Sequence, residues 1–462
     1  MGSRDEPREA APPLTPEPIR PSLYPRFLSL VTPLVVEPLV GAHYLSTARW
    51  LPEFFSWPEE RRRAWQERRF REVLRHGAAS VPFYRRLLHD DVGDATLPDL
   101  PIVDKATMRA DMDAFRSEGW QHMPHLYKRT SGTSGDPWAY PLDKAAWAHQ
   151  YGAAIHFWER TGYRYGERMV MLGSPPSLVP DATSWKARLR SRFERRVVSL
   201  AGVDAGLAAS ARRAELAGEA AGVLWYGYPG IVAAMADAVA TRSLPVRPPR
   251  AIVTTSEMLL PSWRRRIEEV FQVPLFDEYG CNDGGILSLS CAAGRYHLAE
   301  NVSIVEIVDG DSACPAGTEG DVVVTNLHAR VMPFLRYRVG DRAVLGEGPC
   351  PCGAGGATLQ QLIGREADQL RLPDGRVLSP QAFSSIFRTT RHVRRWQVVQ
   401  PKPEVVTVRL DVEPGFDWIE EQRIKRTLQD RCGASVHVET RIGEALERTA
   451  AAKHKLVVRL FE

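Results

Sequence analysis

The amino-acid sequence predicts an α/β fold: a large N-terminal domain built on mainly parallel sheets, followed by a small α+β domain. Short apolar runs alternate with helical patterns through most of the chain, which is typical of parallel strands joined by helices. The pattern changes near residue 364, where a compact unit of normal domain size begins. We therefore expect a disordered tail over 1–22, a large domain over 23–363 and a small C-terminal domain over 364–462.

Each element follows from a local pattern. Apolar residues at helical spacing predict helices over 58–88, 145–161, 207–221, 231–240 and 261–271. Short apolar runs predict strands over 168–172, 251–255, 273–276, 302–308 and 320–326. The C-terminal part is expected to hold helices from 381 and over 418–432, and strands over 396–400, 405–412 and 435–439. The first 22 residues contain six prolines and few large apolar side chains, so we expect disorder there.

Composition excludes several classes of protein. A net charge of +4 over 462 residues, with scattered Arg, gives no case for nucleic-acid binding. Six Cys residues do not make a disulfide scaffold, and residues 1–19 lack a secretory signal. The apolar run 27–40 is interrupted by prolines and Glu37 and is too short to span a bilayer. We expect a cytoplasmic protein without a transmembrane segment, in which this run docks on the fold; a membrane-surface role is the alternative.

A loop rich in Ser, Thr and Gly is the first candidate ligand site. It consists of Thr130, Ser131, Gly132, Thr133, Ser134 and Gly135, followed by Asp136 and Pro137. Glycines let a backbone approach a ligand closely, and consecutive N–H groups can bind an anion. The spacing is not that of a Walker loop, because Asp136 and Pro137 follow the second Gly. The loop indicates phosphate binding outside the P-loop class, and a plain surface loop is the alternative.

Further motifs lie downstream, and the last three are weak when taken singly. The first contributes Tyr279, Gly280, Asn282 and Asp283 after a predicted strand, and the others contribute Asp341, Arg365 and Lys453. An aromatic ring can stack on a base, and a carboxylate can hold Mg²⁺ beside phosphates. Ligands favour the carboxyl ends of strands in open α/β sheets. The interpretation therefore depends on the order and spacing of these motifs along the chain.

Together the motifs resemble those of the acyl-adenylate-forming enzymes, most closely the phenylacetate–CoA ligase and CapK-like branch. The similar strings are TSGTSGDP, EYGCNDGG, TNLHARVMPFLRYRVGD at 325–341 and LIGRxxD at 362–368, and the resemblance covers about residues 60–456. It implies an ATP- and Mg²⁺-dependent enzyme that activates a carboxylic acid as acyl-AMP, releases pyrophosphate and transfers the acyl group to CoA. It also implies that the small domain is mobile and pivots near Arg365.

The resemblance implies a role for each matching residue. Residues 130–135 would wrap the β- and γ-phosphates of ATP, and Tyr279 would lie against adenine. Asp283 would bind Mg²⁺, Asp341 would hold the ribose hydroxyls, and Arg365 would contact ribose or phosphate. Lys453 would reach the carboxylate and α-phosphate, with Lys455 as a fallback. The chain departs from the family in having Asp283 where Glu is usual and Ala367 where a hinge Asp is common, with Asp368 next.

A second constellation predicts a structural zinc ion. Cys291, His297, Cys350 and Cys352 supply three sulfurs and one nitrogen, the set that favours tetrahedral zinc with no open position. Some CapK-like relatives show a similar pairing. Buried free thiols with a surface His are the alternative, and Cys281 is a rival ligand.

Aromatic segments predict the acyl pocket. The resemblance suggests that the segment containing Tyr228, Pro229 and Gly230 helps to line it, and Ser256 and Glu257 precede a loop on the same side of the sheet. Such walls suit an aromatic or medium apolar acid, although packing in the core explains any one ring equally well. CoA is the default acceptor, and an amine or a carrier-protein thiol is the alternative. A non-catalytic nucleotide-binding or scaffold protein is a further hypothesis, and a homodimer is one option for the assembly.

Overall fold

The computed structural model describes residues 23–88, 94–129, 138–173, 197–200, 207–365, 369–378, 386–387, 390, 392–447 and 455–461. Several predicted features lie outside these residues: the tail 1–22, the phosphate-loop candidates Thr130–Gly135, Ala367 with Asp368, and Lys453. The strand that contains Arg365 is described, but the Arg365 side chain is not.

Eleven α-helices are present in the described residues. They are α1 (Tyr24–Val31), α2 (Glu37–Val40), α3 (Tyr44–Ser56), α4 (Glu59–Ser80), α5 (Pro82–Leu88), α6 (Lys105–Ala110), α7 (Lys144–Arg160), α8 (Leu207–Glu219), α9 (Pro229–Arg242), α10 (Pro261–Phe271) and α11 (Trp418–Cys432). The continuous helix predicted over 58–88 is wrong, because the chain breaks at Val81 with extended angles before Pro82. Proline disfavours helical angles in the residue before it and lacks the N–H that would continue the helix.

The strands of the described residues fall into one large sheet and three small ones. They are β1 (Val103–Asp104), β2 (His125–Arg129), β3 (Ala139–Asp143), β4 (Met169–Leu172), β5 (Val197–Leu200), β6 (Leu224–Gly227), β7 (Ala251–Thr255), β8 (Leu275–Gly280), β9 (Leu287–Ser290), β10 (Tyr296–Leu298), β11 (Ser303–Asp309), β12 (Ser312–Ala313), β13 (Glu319–Asn326), β14 (Tyr337–Leu345), β15 (Thr358–Arg365), β16 (Leu370–Arg371), β17 (Val377–Leu378), β18 (Val393–Lys402), β19 (Val405–Val412), β20 (His437–Ile442) and β21 (Val457–Arg459).

The large sheet has a parallel half and an antiparallel half. Strands β5, β4, β6, β7 and β8 lie side by side and parallel, whereas β9, β10, β15, β14, β13, β11 and β12 continue the sheet with antiparallel pairs. The prediction of parallel sheet applies to the first half. The α/β class with a smaller C-terminal α+β unit is confirmed, since β18 to β21 form a separate four-stranded sheet beside α11.

The parallel half is apolar on both faces. Tyr226 and Val253 belong to the core shared with α7, whereas Trp225 and Ile252, one residue earlier, belong to the core shared with α9 and α10. Because side chains alternate along a strand, continuous apolar runs are what a sheet covered on both sides requires. Helices therefore pack on both faces of the parallel half of the sheet. This packing fixes the positions of the strand ends, where the candidate site lies.

The C-terminal unit contacts the large domain through α10. The Trp263 indole N–H donates to the Arg394 carbonyl at 3.4 Å. Within the described residues, no single helix has the length and apolar character to cross a membrane. The segments Tyr24–Val40 and Tyr44–Ser56 reach this length and apolar character only when they are taken together, and the chain bends by 120° between them.

Candidate active site

The carboxyl ends of β6, β7 and β8 meet at one edge of the sheet, and the predicted pocket residues lie there. Tyr228 and Pro229 follow β6 and are buried, and Ser256 follows β7 with a left-handed φ of 70°. The Glu257 carboxylate accepts a hydrogen bond from the Gly230 N–H at 3.3 Å, close to the N-terminus of α9. A negative charge is favourable there because the first N–H groups of a helix lack partners within the helix. The structure therefore brings the two predicted halves of the pocket together.

Tyr279 and Asp341 meet beside this edge. The Tyr279 hydroxyl donates to Asp341 Oδ2 at 2.9 Å. Asp341 lies in β14, where its backbone pairs with Arg365 of β15. Three residues that the sequence places in separate nucleotide-binding motifs thus converge on one surface: an aromatic ring, a carboxylate and the strand that carries a guanidinium.

Asp283 lies in the loop between β8 and β9 and is buried. Its Oδ2 accepts from the Tyr337 hydroxyl at 2.7 Å, and its Oδ1 accepts from the Cys281 thiol at 2.9 Å. Burial, followed by the nearby Asp283 charge, raises the pKa of Tyr337, which keeps this phenol a hydrogen-bond donor. An ionised carboxylate has about four lone-pair positions, so two hydrogen bonds leave room for a metal. Mg²⁺ commonly uses one or two carboxylates beside substrate phosphates, and Asp283 fits that role.

Two glycines let the Asp283 loop lie against the sheet. Gly284 and Gly285 have φ values of 76° and 79°. A Cβ atom on Gly284 would come within 2.2 Å of Val324, and one on Gly285 within 2.2 Å of the Gln150 amide. Both the angles and the space therefore require glycine, which accounts for the Gly-Gly pair after Asp283.

Glu278 is a residue that the sequence reasoning missed. It is buried in β8, where its carboxylate accepts from Trp158 Nε1 at 3.0 Å and from the Tyr226 hydroxyl at 2.6 Å. Burial raises the pKa of the Glu278 carboxyl to about 7, against the opposing effect of those two hydrogen bonds. The signal in the sequence is an acidic residue inside a strand that is otherwise buried on both faces. Tyr337 and Cys281, which hold Asp283, were missed as well.

The four predicted zinc ligands converge in a separate cluster. One atom from each of Cys291, His297, Cys350 and Cys352 lies within 4.8 Å of all the others. The sulfurs of Cys291 and Cys350 are 3.6 Å apart, close to the ~3.8 Å expected when two thiolates share a tetrahedral zinc. Cys352 Sγ lies 3.2 Å from His297 Nε2. Cys281, the rival ligand, instead contacts Asp283.

Local turns present these ligands. Cys291 and Arg295 close a hairpin between β9 and β10, since the Cys291 N–H donates to the Arg295 carbonyl at 2.9 Å. The Gly353 N–H donates to the Cys350 carbonyl at 3.0 Å and forms the knuckle that carries Cys350 and Cys352. His297 Nδ1 lies 3.4 Å from the Gly355 carbonyl, which directs Nε2 into the cluster. Burial lowers the pKa of His297 and so favours the neutral imidazole that a metal requires.

The sequence is similar to those of known proteins. The family described as the CapK C-terminal domain matches residues 370–460. A phenylacetate-coenzyme A ligase of Thermus thermophilus is 25% identical over 380 residues, covering 75% of this chain and 80% of that protein.

A solved 2-hydroxyisobutyryl-CoA ligase has a similar fold. In its postadenylation state with 2-HIB-AMP the TM-score is 0.71 at 18% identity, covering 88% of this chain and 91% of that one. In its thioesterification state with 2-HIB-AMP and CoA the TM-score is 0.59 at 17% identity, covering 88% of this chain and 92% of that one. Both comparisons show that the chain has this fold.

Proposed function

Because the chain belongs to the adenylate-forming enzymes, in their phenylacetate–CoA ligase and CapK-like branch, we propose that it activates a carboxylic acid with ATP and transfers the acyl group to CoA. The contact between Tyr279 and Asp341 at the ends of the parallel strands carries this proposal. It puts the ring proposed for adenine and the carboxylate proposed for ribose side by side. Tyr279 lies in β8, which pairs with β7, the strand before Ser256.

The proposed reaction has two steps, formation of acyl-AMP and transfer of the acyl group to CoA. A carboxylate oxygen of the acid attacks the α-phosphorus of ATP, and the bond to the pyrophosphate oxygen breaks. The thiol sulfur of CoA then attacks the acyl carbon, AMP leaves with the bond's electron pair, and the thiol proton passes to solvent. Activation is needed because an unactivated carboxylate would have to expel oxide.

The main barrier in the first step is that two anions must meet. Lys453 supplies a compact positive charge between the carboxylate and the α-phosphate, and the amides of residues 130–135 hold the β- and γ-phosphates. Asp283 would hold Mg²⁺, and the bound ion would neutralise charge on the phosphates. Asp341 holds the ribose, and Arg365 contacts ribose or phosphate. Asn282 and Gly280 complete the nucleotide-binding segment.

The acid is proposed to be aromatic. The rings of Trp158 and Tyr226 meet edge to face with centroids 5.4 Å apart, and Tyr228 is buried nearby at the end of β6. Apolar and aromatic walls with a few fixed polar groups are typical of small-molecule pockets. Transfer to an amine or a carrier-protein thiol is the alternative to CoA, since Ala367 replaces the common hinge acid.

The test is pyrophosphate release with ATP and Mg²⁺ over a panel of aryl and short acyl acids, each with CoA, an amine or no acceptor. Lys453→Ala is expected to lower acid-dependent release by about 10²–10³-fold, whereas the matched variant Lys455→Ala retains it. Turnover that requires CoA supports the thioester product, and turnover with an amine supports the alternative. ATP binding by calorimetry without release under any acid would contradict adenylation and favour a non-catalytic protein.

The Cys291, His297, Cys350 and Cys352 cluster is proposed to hold one structural zinc ion. The four side chains would fill all four positions of a tetrahedral ion, so the site would leave no place for substrate. Its role is to fix the β9–β10 hairpin to the loop before β15.

A further inference from the structure

Tyr140 has a buried hydroxyl group that forms no hydrogen bond within the described part of the chain. The residue is 0% exposed, and its hydroxyl oxygen has no partner among the residues that the structure describes. Burying a polar group costs free energy when the group loses its hydrogen bonds to water and gains none in the protein. Such groups are few in native proteins, and a ligand that accepts the hydrogen bond is one explanation for them.

The position of Tyr140 in the hairpin of β2 and β3 connects it to the candidate phosphate loop. Tyr140 is the second residue of β3, which pairs with β2 in the antiparallel direction. Arg129 and Ala139 form the pair at the end of this hairpin from which the chain leaves for the candidate loop. Tyr140 therefore lies at the base of the segment that the sequence assigns to the β- and γ-phosphates of ATP.

Aromatic packing places Tyr140 close to the residues around Asp283. The Tyr140 and Tyr337 rings both pack edge to face on Phe334, with centroid distances of 5.3 Å and 5.1 Å. The Tyr337 hydroxyl in turn donates to Asp283 Oδ2 at 2.7 Å. One shared phenylalanine ring therefore connects Tyr140 to the tyrosine that holds the proposed Mg²⁺ ligand.

The Tyr140 hydroxyl is near the Asp283 carboxylate but is not hydrogen-bonded to it. Burial, followed by the charges of Asp283 and Cys281, raises the pKa of Tyr140, so the hydroxyl keeps its proton at neutral pH. The Asp283 oxygens accept hydrogen bonds from Tyr337 and Cys281 instead. A protonated donor and a carboxylate that retains lone pairs are thus neighbours without a bond between them.

A second donor without a partner lies at the loop that contains Asp283. Gln150 Nε2 is buried and has no hydrogen-bond partner within the described ranges. A Cβ atom on Gly285, two residues after Asp283, would come within 2.2 Å of this nitrogen. Two buried donors, from β3 and α7, therefore lie near this loop. Donors that are fixed before a ligand binds favour an oxygen that carries negative charge.

We propose that the Tyr140 hydroxyl donates a hydrogen bond to an oxygen of the β- or γ-phosphate of ATP. A phosphate oxygen suits this donor better than water on a metal ion, because metal-bound water acts mainly as a donor itself. The hydrogen bond stabilises the negative charge that develops on pyrophosphate as its bond to the α-phosphorus breaks. This inference rests on the proposed ATP-dependent function and adds a nucleotide-binding residue to it.

The first test compares the binding of ATP and AMP by calorimetry with Mg²⁺ present. Tyr140→Phe keeps the ring and should weaken ATP binding about tenfold or more, because a hydrogen bond to a charged group is lost. AMP binding should be unchanged, since AMP lacks the β- and γ-phosphates. The ligand-free variant should melt at or above the temperature of wild type, because the hydroxyl that it loses has no partner among the described residues.

Tyr163→Phe is the matched control for the binding test. It removes the hydroxyl of another buried tyrosine, which donates to the Glu167 carbonyl at 3.3 Å. This variant should bind both nucleotides as wild type does. Calorimetry requires no acid substrate, so the comparison of ATP with AMP tests Tyr140 even if the proposed ligase reaction fails.

The two half-reactions provide a second test, with an acid that supports pyrophosphate release. Tyr140→Phe should lower acid-dependent pyrophosphate release about tenfold or more. Transfer of the acyl group from added acyl-AMP to CoA should keep the rate of wild type, because pyrophosphate takes no part in that step.

Three results would overturn the proposal. Wild type that binds no ATP, or equal ATP affinity in Tyr140→Phe and wild type, means that the hydroxyl contacts no phosphate of ATP. An equal loss of affinity for ATP and AMP assigns the effect of the substitution to the AMP part of the nucleotide or to the packing of the site.

Discussion

The Tyr279 hydroxyl donates to the Asp341 carboxylate at 2.9 Å, across 62 residues of sequence. This bond orients the carboxylate that is proposed to hold the ribose and fixes the ring that is proposed to lie against adenine. It links β8 to β14, so the two motifs form one unit of the proposed nucleotide site.

Asp341→Asn should raise the KM for ATP about 10- to 100-fold, because a hydrogen bond to a charged group is replaced by a weaker one. Tyr279→Phe keeps the ring and loses only the orienting bond, so we expect an increase of about two- to tenfold. Steady-state pyrophosphate release at saturating acid measures both, with thermal melting as the control for folding. An unchanged KM in Asp341→Asn would remove Asp341 from the ribose site.

Strong local patterns made much of the fold predictable. The strand 251–255 and the helices 261–271 and 418–432 occur with the predicted bounds, because each has a clear period and a clear start. The antiparallel half of the sheet was harder to predict. The short strand β10, for example, pairs with β15, which lies about sixty residues away along the chain, and local propensity does not encode that partner.

The candidate site was predictable where a residue type has a recognisable chemical role. The Tyr279 and Asp341 motifs and the four Cys and His residues stand out by type and spacing, and the structure brings each group together. Glu278 and Tyr337 did not stand out, because an acid or a phenol within a strand gains its meaning only from what is buried beside it. Burial and long-range contact are properties of the fold, so these residues required the structure.

Glu278 should make stability depend on pH in the neutral range. Burial raises the pKa of its carboxyl to about 7, whereas an unfolded Glu titrates near 4.5. The folded state therefore holds the proton between these values, so this contribution is complete below pH ~4.5 and is lost as the pH rises through 7. The limiting slope is about 1.4 kcal/mol per pH unit.

Glu278→Gln tests this contribution, because an amide can donate to Tyr226 and accept from Trp158 but cannot ionise. Urea unfolding from pH 5 to 8 should show the free energy of wild type falling relative to the variant by about 1–3 kcal/mol. Parallel curves for the two proteins would show that Glu278 does not titrate in this range.

His149 should have the opposite effect on the pH dependence of stability, because at acid pH it should make the folded state less stable as the pH falls. Its ring stacks on His328 with centroids 3.5 Å apart, and burial, aided by Arg69, lowers the pKa of His149 to about 4. An unfolded His titrates near 6.5, so the unfolded state binds the extra proton first. Stability is therefore lost as the pH falls from about 6.5 towards 4, by up to about 1.4 kcal/mol per unit.

His149→Phe keeps a flat ring and removes this titration, along with a buried Nδ1 that has no hydrogen-bond partner. The slope of the unfolding free energy against pH between 4.5 and 6 should decrease, by an amount that corresponds to at most one bound proton. The exposed His122→Gln variant is the control and should keep the slope of wild type. An identical slope in His149→Phe would mean that His149 is protonated in the folded state.

Removal of one cluster ligand should release the proposed zinc ion. Cys350 is buried and lies 3.6 Å from Cys291, so Cys350→Ser leaves three ligands and a poorer donor in an enclosed site. We expect metal analysis to give about one zinc per chain in wild type and little in the variant. The melting temperature should decrease by roughly 5–10 °C, since a metal bound only by the folded state stabilises it.

Cys314→Ser is the matched control, because Cys314 lies outside the cluster and its thiol contacts the Glu319 carbonyl. This variant should keep both the zinc and the melting temperature of wild type. A strong chelator should reproduce the Cys350→Ser melting temperature in wild type and have little further effect on the variant. The opposite result would be wild type that contains no zinc and whose melting temperature does not change when chelator is added. The four side chains would then be a thiol–imidazole cluster without a metal, and packing alone would hold the hairpin in place.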